Sequence, residues 1–164
     1  MGSPICGTPA ESYLRSRRIS LFNPVPNLRF HPRCYYRCEN GGPALRLPAM
    51  LAAITVLSVR TALPEMATLA GLSAAHLTAI QFPEGLRRLY VLRDRDQAGA
   101  AARDTLCSRA EGAGIEALTL TPRLGDFNDD LRRYGVVALQ ERLRLHLHLE
   151  DAARFLAVRG GTGR

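Results

Sequence analysis

The stretch Arg88-Leu89-Tyr90-Val91-Leu92-Arg93-Asp94-Arg95-Asp96-Gln97-Ala98-Gly99 decides the fold. Four consecutive apolar or aromatic residues between charged ends read as a short buried strand. From Asp96 to about Gly112 the pattern is helical. Asp96 can cap, Ala100, Ala101, Leu106 and Ala110 favour helix, and Gly112 and Gly114 stop it. Ile115 to Thr121 then alternates as a further strand. Upstream, Leu51 to Val59 is strongly apolar and a helical pattern continues to Leu63, just before Pro64. Ala67 to Leu72 reads as another buried strand, and Ser73 caps a short helix through Ile80. Strand, helix, strand, helix, strand over residues 67–121 implies an α/β fold, a parallel sheet covered by helices. In such folds the chemistry lies at the carboxyl ends of the strands.

The strand-end loops hold the acidic residues. Asp94 and Asp96, two apart on extended backbone, project to the same side. Carboxylate oxygens are the hard ligands that Mg²⁺ takes, commonly with a phosphate partner. The plainer alternative makes Asp96 a helix cap and leaves Asp94 solvated. The next strand is followed by Leu124-Gly125-Asp126-Phe127-Asn128-Asp129-Asp130-Leu131. Loops after neighbouring parallel strands share one rim, so Asp126 can join Asp94 and Asp96, or cap the helix beginning near Asn128. Three carboxylates on one rim repel one another unless a cation neutralises them. Arg87, Arg88, Arg93 and Arg95 flank the aspartates and suit phosphate contacts, with a solvated surface as the alternative. Further helical stretches are expected at about 129–134, 136–147 and 150–157.

The run from Phe82 to Gly135 resembles the Toprim module of primase-like proteins from phages, plasmids and other mobile elements. Asp94 and Asp96 match that family's D-x-D metal motif. Gly125 through Leu131 match its glycine–aspartate loop. Residues 56–80 resemble the helix–strand–helix before the aspartate strand. The GTPAESYLRSRRI and LRFHPRCYYR segments resemble what precedes Toprim in these proteins. The resemblance implies Mg²⁺, with Mn²⁺ as a substitute, held by Asp94, Asp96 and Asp126. It implies nucleotidyl or phosphodiester transfer in DNA replication or mobilisation, with DNA or RNA, nucleotides, and replication or helicase proteins as partners. One departure stands out. The family has a first strand ending in a glutamate, the general acid or base, within an E-G-I-E-T-like string. Here Leu51-Ala52-Ala53-Ile54-Thr55 stands in its place and only Thr55 fits. The chain resembles a shortened member, and no catalytic residue is assigned. Glu65, after the helix and beside Pro64, is a poor substitute. Leu47 to Thr55 is apolar enough to replace the lost strand. A non-catalytic remnant that binds nucleic acid or a partner is the alternative function.

The remaining features are less specific. The 164 residues divide into an N-terminal α+β segment (1–46), the Toprim-like α/β domain (47–135) and a helical extension with tail (136–164). Thr8-Pro9-Ala10-Glu11 reads as a helix start with a capping box. Tyr13, Leu14 and Ile19 form the apolar side of that helix. Leu28 to Tyr36 reads as a short strand or an extended arm. The net charge is +7, and all 22 basic residues are arginine. That suits an anionic partner, although a GC-rich coding bias accounts for it more simply. No apolar run approaches the roughly 18 residues of a membrane span, and the N-terminus has no signal-like core, so a cytoplasmic protein is expected. His31, Cys34 and Cys38 offer three zinc ligands but lack a second pair, so reduced structural cysteines are expected. His146 and His148 are expected to be structural.

Overall fold

The computed structural model describes residues 3–19, 29–36, 45–50, 54–71, 76, 78–93 and 100–156. Contacts divide the chain into two units, Met1–Ala52 and Ala53–Arg164.

The first unit contains β1 (Ser3–Pro4), α1 (Pro9–Ser16), β2 (Arg29–Tyr36) and β3 (Leu45–Met50). The strands form an antiparallel sheet in the order β1-β2-β3. The β2–β3 register slips between His31 and Cys34. Pro32 lies in that gap, and a proline inside a central strand has no N–H for the ladder. Pro9 begins α1, but the capping box is displaced by one residue. The Thr8 hydroxyl donates to the Ile5 carbonyl, and the Glu11 carboxylate accepts from the Gly7 N–H at 2.7 Å. Ala10 and Leu14 are the buried residues of α1, and Ile5 before it and Ile19 after it are buried as well. Tyr13 is exposed instead, with the Arg17 guanidinium 5.4 Å from its ring. Arg18 takes a left-handed conformation (φ 58°), so the N–H of Ile19 returns to the Leu14 carbonyl and closes the helix end.

The second unit contains α2 (Ile54–Ala62), β4 (Arg88–Leu92), α3 (Ala100–Gly112), β5 (Glu116–Leu120), α4 (Phe127–Arg144) and α5 (Leu149–Phe155). β4 and β5 are parallel and in register, Arg88 opposite Glu116 and Leu92 opposite Leu120. α3 joins them and buries Ala102, Leu106 and Ala110, one face at four-residue spacing. Gly114, at φ 73°, ends the helix, and the Ile115 N–H bonds back to the Ala110 carbonyl. α2 packs on α4. Leu57, Val59, Ala62 and Leu63 meet this core from one side, Phe127, Leu131, Leu139 and Leu143 from the other. The core contains a polar bond: Asn128 Nδ2 donates to Ser58 Oγ at 3.0 Å. α4 is broken at Gly135 (φ 82°, ψ 173°), which separates the two expected helices.

Two expectations fail. Residues 67–71 form no strand, and Leu69 is 66% exposed. The run is apolar, but alanine and glycine are poor strand formers, and among the described residues no strand pairs with it. Nor does the 47–55 segment replace the missing first strand beside β4. Its residues up to Met50 belong to β3 and pair with β2, and Ile54 already begins α2. Among the described residues β4 pairs only with β5. No helix there is long and apolar enough to cross a membrane.

Candidate metal and phosphate site

β4 and β5 end side by side. Leu92 faces Leu120, and the Arg93 N–H donates to the Leu120 carbonyl at 3.0 Å. The segments after them therefore leave the sheet along one edge. The first runs into Asp94, Arg95 and Asp96, which lie outside the described residues. The second, residues 121–126, is described throughout and is firmly held.

That loop is built by the run from Gly125 to Asp130. Asp126 is the N-cap of α4, its backbone extended and its Oδ1 accepting from the Asp129 N–H at 2.7 Å. Asp126 is half-buried, and its Oδ2 has no bond within the described residues. Phe127 anchors the first turn in the core, and Asn128 is tied to Ser58 on α2. Asp130 is buried, and its two oxygens accept from the N–H groups of Arg123 and Leu124 at 2.8 and 2.9 Å. A carboxylate on the first turn thus folds the preceding loop back against its own helix, where the helix dipole favours negative charge. At Gly125 a Cβ would lie 3.2 Å from Asp129 Oδ2, tight enough that the carboxylate would have to shift by a few tenths of an ångström.

The cap reading of Asp126 is thus realised, and capping leaves one carboxylate oxygen available for a cation. Among the described residues no group of three acidic, histidine or cysteine side chains gathers into a metal site. By residue type, Asp94, Asp96 and Asp126 offer only hard carboxylate oxygens, the kind that suits Mg²⁺.

Arg87 and Arg93 are exposed at the two ends of β4; Arg95 lies outside the described residues. Arg88 is the exception to the expected phosphate contacts. Its guanidinium bonds Glu116 at 2.8 Å, Glu150 at 2.9 Å and Asp151 at 3.0 Å, and the side chain is 17% exposed. Three carboxylates already use its donors, so it fastens α5 to the sheet instead. Tyr90 completes the cluster. Its hydroxyl donates to Asp151 Oδ2 at 2.7 Å and accepts from the His148 N–H at 3.1 Å. Burial, then the bond to Asp151, pushes the Tyr90 hydroxyl up to about 12. Burial alone would raise Asp151, but the bonds from Tyr90 and Arg88 outweigh it and hold the carboxyl below its ordinary value. Arg88 lowers Glu150 likewise. His148 caps α5, a structural role, with Nδ1 accepting from the Glu150 N–H. This cluster was missed in the sequence because its partners lie 28, 62 and 63 residues from Arg88.

A model described as Toprim domain matches residues 50–136, more than half of the chain. A second, described as a domain of unknown function (DUF7146), matches residues 1–78. Comparison with curated proteins and with solved structures gave no match. Toprim domains indicate a nucleotidyl-transfer, primase-like superfamily and generally bind Mg²⁺ through acidic residues. The parallel β4–α3–β5 unit lies within the region of that match, and the chain belongs to the Toprim domain family.

Proposed function

We propose that the chain is a Mg²⁺-dependent, primase-like Toprim protein acting on nucleic acid in replication or mobilisation, its metal held by Asp94, Asp96 and Asp126. The observation that carries this reading is the level ending of β4 and β5, Leu92 beside Leu120. It sends the D-x-D segment and the Asp126 loop off one edge. In this reading residues 1–46 precede the Toprim-like module (47–135) and residues 136–164 extend it as helices.

Mg²⁺, or Mn²⁺, when bound would polarise a phosphate and stabilise the displaced oxygen. The chain's own part is to hold the carboxylates and the strand. Asp126 is fixed by its cap bond, and the loop beneath it by Asp130. Arg87, Arg93 and Arg95 would meet backbone phosphates, whereas Arg88 is committed to α5. Nucleotides and replication or helicase proteins are the partners that fit. Oligonucleotide synthesis in Mg²⁺ that disappears in Asp94→Ala supports this reading. A folded sample that turns over no nucleotide on any template contradicts it.

One observation favours the second reading, a non-catalytic remnant. β3 pairs within the N-terminal sheet, and Ile54 begins α2 four residues later. No glutamate therefore precedes α2 at the place where the family carries its proton-transfer group, whose loss typically costs about 10²–10⁴-fold in rate. Nucleic-acid binding that survives loss of both aspartates would select the remnant.

A further inference from the structure

The positive charge is unevenly placed along the chain. Residues 1–52, the first unit, contain seven arginines and two glutamates, a balance of +5. Residues 53–164, the second unit, contain fifteen arginines and thirteen acidic residues, a balance of only +2. The second unit also spends charge internally, with Arg88 on three carboxylates, Arg103 on Asp104 and Arg144 facing Glu141. In the first unit Glu11 takes Arg15 at 2.7 Å, and Glu39, outside the described residues, is the other acid. The smaller unit is therefore the stronger source of positive potential.

The end of α1 sets that charge beside an exposed ring. Tyr13 is 44% exposed, and Arg17, one turn on, holds its guanidinium 5.4 Å from the ring centre. Arg18 follows in left-handed backbone, φ 58°, the conformation in which helix ends ordinarily carry glycine. A residue with a Cβ is disfavoured there. Here it is an arginine, exposed and without a carboxylate partner among the described residues. Strain of this kind points to a side chain with a use. In the β2–β3 register Tyr35 stands opposite Arg46, so the same two residue types recur at one rung of the unit's sheet.

We propose that the first unit binds single-stranded nucleic acid, a base stacking on Tyr13 and a backbone phosphate pairing with Arg18. Single strands are held by aromatic platforms beside cationic groups. A guanidinium matches a phosphate in charge and in fork geometry. A membrane fits less well, because α1 buries its apolar residues, Ala10 and Leu14, and keeps no apolar face to enter a bilayer. The inference rests on the nucleic-acid part of the function proposed above. It adds a strand contact in residues that precede the Toprim match.

The test is fluorescence anisotropy of a labelled single-stranded DNA 20-mer with the full chain in Mg²⁺ buffer, over a salt series. Arg18→Gly removes the charge and gives the left-handed position the residue that suits it. It should melt no lower than the parent, yet bind roughly tenfold more weakly, with a salt slope reduced by about 0.7, the share of one single-strand phosphate. Tyr13→Ala, at an exposed helix position that alanine favours, should weaken binding roughly tenfold and leave the salt slope unchanged. Arg87→Gln/Arg93→Gln, at the two ends of β4, is the comparison. Parent-like binding in either folded α1 variant overturns the inference. A loss confined to the β4 variant does so too, while leaving the proposed function standing. No binding by the folded parent overturns both. Preference for phosphatidylserine vesicles over the 20-mer assigns the charge to a membrane and overturns the inference.

Discussion

Asp126 and Asp130 stand four residues apart on one helix turn and do different work. Asp126 caps α4 and keeps an oxygen for a cation, whereas Asp130 is spent inside the protein on two loop N–H groups. Hydrogen bonds to a charged group contribute about 1.5–3 kcal/mol each, and the N–H groups left behind would be poorly solvated. Asp130→Ala should therefore destabilise by about 3 kcal/mol in urea unfolding. A loss under about 0.5 kcal/mol, the size of an ordinary surface change, would show that the loop is held by something else. Asp126 was legible in the sequence only as a choice, because an aspartate before a helix suits a cap and a ligand equally. Asp130 was not legible at all. Its role depends on the loop folding back over the first turn, and no spacing rule announces that.

Elements explain the two ends of the second unit. β4, α3 and β5 could be read in advance because a short apolar run, an alanine-rich helix and paired glycines agree locally. The supposed strand at 67–72 could not, since an apolar run of alanine, leucine and glycine carries no period that separates strand from loop. The break in α4 turns on one residue. Gly135 combines φ 82° with ψ 173°, a region essentially closed to side chains, although its surroundings have room for a Cβ. Gly135→Ala should lower stability by about 1–3 kcal/mol, read as a shift in thermal midpoint, with unchanged stability as the contrary result. The hold on α5 should appear as two pH limbs. Asp151 and Glu150 titrate below their ordinary values in the folded chain. Their stabilisation is therefore complete above the ordinary carboxylate range and is lost as pH falls through the folded values. Tyr90 is raised from 10.0 to about 12, so its share is complete below pH 10 and lost as pH rises towards 12. Tyr90→Phe should flatten the alkaline limb of a melting-temperature profile and also weaken the acid limb, because Asp151 loses one of the bonds that lower it. An alkaline limb identical to the parent's would remove Tyr90 from the account.

At the scale of the whole molecule, the balance of charge is basic. The chain has a net charge of +7 carried entirely by arginine. Arg88 is consumed by α5, while Arg87, Arg93, Arg123 and Arg142 stand outside any ion pair among the described residues. In the proposed reading Asp94, Asp96 and Asp126 share one edge, where three carboxylates would be tolerable only with a cation among them. In that reading Asp94 and Asp96 hold the cation. The direct measurement is calorimetric titration of Mn²⁺ and Mg²⁺ into the purified chain and into Asp94→Ala/Asp96→Ala. The parent should bind, and the variant should lose roughly tenfold or more in affinity. Equal binding by both, or none by the folded parent, would contradict that reading.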